Sequence, residues 1–255
     1  MSGTTRRTFI GSAATGGALL LAPNLVTASQ QTTPVSGAAA SPGYATARVR
    51  TQPTAELNQA IFPDVMARLL PKTTKLPGFH GYTFVFDNDD PTAAITFTTM
   101  ADEDAARASG QLAQDYVAQL DPRFVTETPL SAENRIRMWA TTSTPASELP
   151  PFLHGAAFTL RDQTTTPGYD INDLVAIAQE TLIPLFLDLP GFVLYCWFER
   201  PEGRIAINIW ETAEDMAAGD EALAAWREEY FAGPTSSETV TWHGTIGYST
   251  ITGLT

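Results

Sequence analysis

Arg48, Arg50, Arg135, Arg137 and Arg161 sit at alternate positions of three segments whose other parity is apolar (Ala47 and Val49, Ile136 and Met138, Phe158 and Leu160). Successive side chains of a strand point to opposite faces, so these guanidinium groups share one face of a sheet. Tyr82, Tyr195 and Trp197 fall on that face by the same alternation. Arginine grips a carboxylate or phosphate through two parallel N–H donors, and an aromatic wall beside it suits a ring-bearing anion. Only one acid, Glu199, shares the face with the five arginines. Two readings stay open. Either Arg48, Arg50 and Arg137 hold an anionic ligand against the Tyr82, Tyr195 and Trp197 rings, or the arginines form structural ion pairs with Glu199 and other acids at the rim.

His80 enters the neighbouring strand on the same face. An imidazole in a semi-enclosed aromatic site can act as general base toward a phenol or enol, or it can simply be a hydrogen-bonded wall residue. His154 reads as solvated, and the face of His243 depends on a one-residue strand register. Histidines at 80, 154 and 243 have no metal-ligand spacing, and the single cysteine, Cys196, excludes an intrachain disulfide and a thiolate zinc cluster. Cys196 itself is expected to be buried and inert. No phosphate-binding glycine loop, Ser/His/Asp pattern or dinucleotide fingerprint occurs. The expectation is therefore no metal and no cofactor.

These residues belong to a chain of 255 residues that is 44% hydrophobic and 17% charged, enough to bury a substantial core. Its formal charge is −13, with 28 acidic residues against 15 basic ones, of which only Lys72 and Lys75 are lysines. A chain this acidic is a poor binder of nucleic acid or anionic membrane. Thr5-Arg6-Arg7-Thr8-Phe9-Ile10 and the apolar, glycine-rich run to Ala22 read as a twin-arginine export signal, residues 1–28, with cleavage after Ala28. The apolar run is too short to span a bilayer, which takes about 20 residues. Residues 29–43 read as a flexible leader. Partners expected are therefore the export machinery and a small molecule, with no nucleic acid and no stable membrane span.

Leu76-Pro77-Gly78-Phe79 recurs as Leu189-Pro190-Gly191-Phe192, and Leu69, Pro71 and Tyr82 match Leu182, Pro184 and Tyr195 at the same offset of 113. The series indicates a duplication, with repeat one at 44–145, a linker at 146–152 and repeat two at 153–255. Each repeat reads β-α-β-β-α-β. The first helices carry apolar residues at 3–4-residue spacing (Leu57, Ile61, Val65, Leu69; Leu174, Ile177, Ala178, Leu182), and the strands alternate. The order specifies two ferredoxin-like units, each a four-stranded antiparallel sheet with both helices on one face. The mixed aromatic–arginine face needs cover, and packing sheet to sheet into one intrachain α+β barrel supplies it. On this reading the purely apolar set Phe192, Leu194, Cys196 and Phe198 lies under the helices. The arginine set then lies between the sheets, and a monomer is expected because one chain supplies both halves.

Pro-Gly-Phe at the entry to a strand, followed by Ile207-x-Ile209-Trp210-Glu211-Thr212-Ala213-Glu214-Asp215, resembles the antibiotic-biosynthesis-monooxygenase-like (ABM-like) group of the dimeric α+β barrel superfamily. The resemblance covers most of repeat two and, more weakly, repeat one. It implies a barrel made of two ferredoxin-like units. Some members are cofactor-free oxygenases and some degrade haem. The haem-degrading members use a second-helix histidine, which neither repeat has; Asn208 and Trp210 match in repeat two only. The exported two-unit haem peroxidases resemble the chain in leader and layout, but their Gly-x-x-Asp-Gly motif is absent. Three functions follow: a module binding a hydrophobic or aromatic anion between the sheets; a cofactor-independent monooxygenase or isomerase acting on an aromatic or enolic substrate with His80 as base; or a structural role.

Overall fold

The computed structural model describes residues 42–124, 127–231 and 233–251. The signal and most of the leader read from the sequence lie outside the described residues. Repeat one runs β1 (Tyr44–Thr51), α1 (Ala55–Asp64), α2 (Leu70–Thr73), β2 (Phe79–Asp87), β3 (Ala93–Met100), α3 (Glu103–Ala118) and β4 (Glu127–Thr141). Repeat two runs β5 (Ala157–Thr165), α4 (Ile171–Ile177), α5 (Ile183–Leu187), β6 (Phe192–Arg200), β7 (Gly203–Trp210), α6 (Ala213–Tyr230) and β8 (Ser236–Ser249). The strands close into one antiparallel barrel in the order β1-β3-β2-β8-β5-β7-β6-β4. Each repeat is thus a complete ferredoxin-like sheet, and the two join edge to edge. β2 pairs with β8 through Thr83–Asp87, and β4 pairs with β6 through Ile136–Thr141.

Local chemistry explains the boundaries. Thr54, Asp102 and Thr212 cap α1, α3 and α6 by accepting from the Leu57, Ala105 and Asp215 amides, and acids fill the first turn of each helix. Gly78 and Gly191 have φ of 75° and 69°, so the Pro-Gly steps before β2 and β6 need glycine's left-handed freedom. In both repeats the first helix widens into one π-helical turn, Val65–Leu69 and Ala178–Leu182, just ahead of Pro71 and Pro184. Proline offers no N–H and clashes with the carbonyl four residues back, and the wider turn relieves both.

The arrangement of faces corrects the reading from sequence. The barrel interior is lined by Ala47, Val49, Val85, Ile95, Phe97, Phe158, Leu160, Leu194, Cys196, Phe198, Ile205, Ile207 and Ile209, all fully buried in one cluster. The arginine–aromatic set lies on the opposite face, under the helices. There Tyr82 and Phe84 pack with Ile61, Val65 and Leu69, while Tyr195 and Trp197 pack with Leu174, Leu182 and Phe186. The physical reason is access to water. An eight-stranded barrel closes on an interior just wide enough for side chains, with no edge where a charge could reach solvent. A helix-covered face has open margins, so arginine stems can lie on apolar surface with their heads near water. No helix among the described residues is long and apolar enough to cross a membrane.

Gly219 on α6 tests the packing. Its Cα lies so close to the fully buried Trp210 ring that an added Cβ would overlap three ring atoms. Alanine is favoured over glycine in a helix by about 1 kcal/mol. Overpacking a rigid site costs roughly 1–3 kcal/mol, and here it wins. Gly219→Ala is therefore expected to lower the melting temperature by roughly 2–6 °C, read by circular dichroism. An unchanged or raised value would show that α6 does not sit tightly on Trp210. Both sheet edges being used within one chain, sedimentation is expected to give a monomer.

Candidate functional site

Each repeat has a cavity between its helices and its sheet. In repeat one it encloses about 50 Å³ and is lined by β1, β2, β3, α1, the π turn and α3. Its apolar wall is Ile61, Val65, Leu69, Phe84, Ala94 and Val117. Phe84 is held by Phe62 and Phe86, with ring centroids 5.0 and 5.2 Å away. The polar lining includes Arg48, Arg50, Asn58, Tyr82 and Tyr116. Alternation along β1 and β2 delivers three of these to one side, and α1 and α3 deliver the other two.

The electrostatics of this lining are unbalanced. Arg48 Nη2 lies 3.8 Å from Glu133 Oε2, a carboxylate that also accepts from Thr46 Oγ1 at 3.2 Å. Arg50 has no carboxylate at ion-pairing distance among the described residues. Burial pushes its guanidinium down from the ordinary range, and the like charge of Arg48 adds to this. The Tyr82 hydroxyl is 97% buried by residue and has no hydrogen-bond partner. Burial holds that phenol protonated well above its ordinary range. Asn58 Nδ2 donates to the Pro91 and Ala93 carbonyls at 3.0 and 2.8 Å, which leaves Oδ1 buried without a donor. Tyr116 Oη donates to Asp64 Oδ2 at 2.7 Å and so ties α3 to α1. Orphaned buried polar atoms are uncommon, and each costs about 1–3 kcal/mol. Two orphans and an unpaired cation among the residues lining an apolar cavity make it the candidate site of repeat one.

Repeat two shows what happens when the same site becomes core. Leu174, Ala178, Leu182, Tyr195 and Trp197 line its cavity at the positions of Ile61, Val65, Leu69, Tyr82 and Phe84, each 113 residues on. Trp197 replaces Phe84, and the volume falls to about 30 Å³. Arg161, the counterpart of Arg48 at the same offset, donates to Asp220 and, with the Asn208 amide oxygen turned inward, to that oxygen at 2.8 Å, while the position of Arg50 holds the neutral Gln163. Asp220 stands eight residues past the α6 cap Thr212, and Gly110 stands eight residues past the α3 cap Asp102. Repeat one therefore has a glycine where repeat two places Asp220, and Arg48 takes Glu133 of β4 as its acid instead.

Of the residues singled out from sequence, Arg48, Arg50 and Tyr82 meet in the repeat-one cavity, and Tyr195 and Trp197 meet in the repeat-two cavity. Arg137 joins neither. It donates to Glu199 and, at 2.8 Å, to Asn172 Oδ1 at the start of α4, the ion-paired alternative. Arg135 is exposed on β4. His80 is half-buried beside a bulge in β2 and is not among the residues lining the cavity. His243 pairs with Thr159, whose hydroxyl contacts Met216 of α6. Cys196 is buried in the barrel, where burial pushes its thiol up. Sequence reasoning missed Asn58, Tyr116 and Gly110, all on helices. An asparagine within the apolar stripe of a first helix was the available signal for Asn58.

Among the described residues no group of three His, Cys, Asp or Glu could hold a metal ion. The repeat-one cavity offers no histidine, cysteine or methionine to a haem iron, its two phenols are held protonated by burial, and its volume is far below that of the macrocycle. Haem does not fit it.

No family model matches the sequence, and no curated protein matches it either. Solved structures do. A proposed monooxygenase from Lactobacillus acidophilus superposes with a TM-score of 0.61 at 8% identity, covering 83% of this chain and 97% of that one. A proposed monooxygenase from Fusobacterium nucleatum gives 0.62 at 10% identity, covering 83% and 96%. An anthrone oxidase-like protein gives 0.55 at 13% identity, covering 82% and 93%. At such identities the likeness speaks for the fold. The chain shares with these proteins an α+β fold built on a closed eight-stranded antiparallel barrel, here formed within a single polypeptide.

Proposed function

We propose that the chain binds a compact organic anion with an apolar or single-ring body in the repeat-one cavity, beneath α1 and α3. One observation carries the reading: Arg50 and the Tyr82 hydroxyl both line this cavity without a partner, while the position of Arg50 in repeat two holds the uncharged Gln163. The anionic group meets Arg50, Arg48 and the Tyr82 hydroxyl, and the ring or chain lies against Phe84, Ile61 and Leu69. A hydroxyl on the ligand would satisfy Asn58 Oδ1. A water-sized group needs roughly 10–15 Å³, so about 50 Å³ accepts a few heavy atoms; a full ring requires the π turn to move outward. The site lies under the helices rather than between the sheets, because the barrel interior is a filled apolar core.

The named fold neighbours support a second reading, cofactor-independent oxygenation of the bound anion by O₂. Arg48, Arg50 and the Tyr82 hydroxyl would stabilise a phenolate or enolate, and electron transfer from that anion to O₂ would begin the reaction. His80 does not line the cavity, so the substrate would have to arrive ionised or deliver its proton to water. We further propose that the mature protein works outside the cytoplasm, on the strength of the Arg6-Arg7 signal; Arg6→Lys with Arg7→Lys is expected to leave precursor inside the cell, and undiminished secretion would end that reading.

Calorimetric titration with single-ring carboxylates and phenolic acids tests the site, since no tryptophan lines it. Arg50→Met is expected to weaken binding at least tenfold. Tyr82→Phe is expected to weaken binding while leaving the ligand-free melting temperature unchanged or higher, because removing a buried orphan hydroxyl removes its cost. Gly110→Asp is the sharpest variant. A Cβ at Gly110 lies 3.5 Å from both Arg48 Nη2 and Glu133 Oε2, so an acid there sets a carboxylate beside Arg48 as in repeat two and adds negative charge next to Glu133 at the cavity wall. Loss of binding in a folded Gly110→Asp protein is the expected result. Binding that survives all three substitutions would overturn the assignment, and oxygen uptake on the same ligands separates a binder from an oxygenase.

A further inference from the structure

The repeat-two cavity carries its own imbalance, independent of the repeat-one site. Arg161, Arg204 and Arg227 all line it, from β5, β7 and α6. Asp220 is the one carboxylate paired with any of them, through Arg161. Arg204 is satisfied by neutral acceptors: its Nε donates to Gln163 Oε1 at 3.0 Å, and its Nη groups donate to the Thr235 carbonyl and hydroxyl at 3.2 and 2.9 Å. Arg227 has no carboxylate at ion-pairing distance among the described residues. Two further donors in the lining, Gln163 Nε2 and Trp197 Nε1, belong to side chains 99% buried and have no acceptor. The orphans are therefore all donors, and water, which must also donate, would satisfy them less well than an ion that only accepts.

We propose that this cavity is a buried site for one small inorganic anion, of chloride or nitrate size, held by Arg227, Gln163 Nε2 and Trp197 Nε1. The volume of about 30 Å³ holds roughly two water-sized groups and excludes tetrahedral oxyanions and aromatic acids. Burial pushes Arg204 down to about 10 and also depresses Arg227, with the neighbouring charge of Arg161 adding at Arg227; a bound anion would reverse both effects. The ion would bridge the last turn of α6 to β5 and β6, doing for repeat two what the organic anion does for repeat one. Chloride and nitrate share this chemistry, and the experiment ranks them.

The full chain is exchanged into gluconate, an anion too large for the cavity, and titrated with chloride, nitrate or formate at constant ionic strength. Tryptophan fluorescence is the readout, because Trp197 and Trp226 line this cavity and no tryptophan lines the other. A saturable fluorescence change is expected, together with a melting-temperature rise of about 3–6 °C at saturation. Arg227→Met should abolish both while folding normally in gluconate, and Gln163→Leu should weaken binding several-fold. Arg50→Met should keep both responses, which separates this site from the repeat-one site. A non-saturable response, a response retained in Arg227→Met, or one lost in Arg50→Met overturns the proposal. Crystals grown with bromide should show an anomalous peak within hydrogen-bond reach of Trp197 Nε1, and its absence there would also overturn it.

Discussion

Closure of the barrel is the constraint from which the other features follow. Two ferredoxin-like sheets leave four edges, and pairing β2 with β8 and β4 with β6 removes all of them. The strands that do this are long: β4 spends Tyr44's partner Arg135 and its neighbours on β1 and then continues from Ile136 along β6. Once closed, the interior has no margin in contact with water, so any polar group there would need a complete set of internal partners. Thr83 and Ser249 meet that demand with each other at 2.8 Å; nearly everything else inside is aliphatic or aromatic. Charge is consequently driven to the outer face of the barrel, where the helices cover it only in part.

That displacement leaves a cavity under the helices of each repeat, and duplication lets the two diverge. In repeat two, Trp197 fills the place of Phe84, Asp220 meets Arg161, and Trp226 Nε1 donates to Thr181 Oγ1 at 2.8 Å across the helix pair. In repeat one the corresponding helix tie, Tyr116 to Asp64, is kept, while the filling tryptophan is missing, Glu133 of β4 takes the part of Asp220, and Arg50 stands where repeat two has Gln163. The helix scaffold is therefore preserved in both halves, and what differs is the content of the cavity. A duplicated barrel can let its two polar sites diverge because the shared barrel core supplies packing to both halves.

The fold was largely legible before the structure was. The Pro-Gly steps, the helix caps and the 113-residue repeat carry their own local physics, and the strands begin within one or two residues of where alternation puts them, except β4 and β8. The last strand of each repeat starts earlier than its alternation suggests because Glu127–Asn134 and Ser236–Thr239 are largely polar, although they pair with β1 and β5 of their own repeats. The candidate site was half legible. Alternation grouped Arg48, Arg50 and Tyr82 correctly, yet a period of two does not say which face is inside. The faces were assigned by assuming that helices demand the more apolar side. Closure reverses that ranking, since a helix-covered face keeps open margins and a barrel interior does not.

The π turns link this architecture to the sites. A regular helix entering Pro71 or Pro184 would collide with its own carbonyl, and the wider turn accommodates the ring at the cost of weaker local hydrogen bonding. Val65 and Leu69, at the two ends of that turn, lie in the wall of the repeat-one cavity, and Ala178 and Leu182 do the same in repeat two. The least regular part of each first helix is therefore the part that covers its cavity. Segments with fewer regular backbone bonds open at lower free energy than the strands beneath them. The barrel can thus stay rigid while one wall of each cavity yields, which is how a closed core is compatible with the ligand sites proposed above.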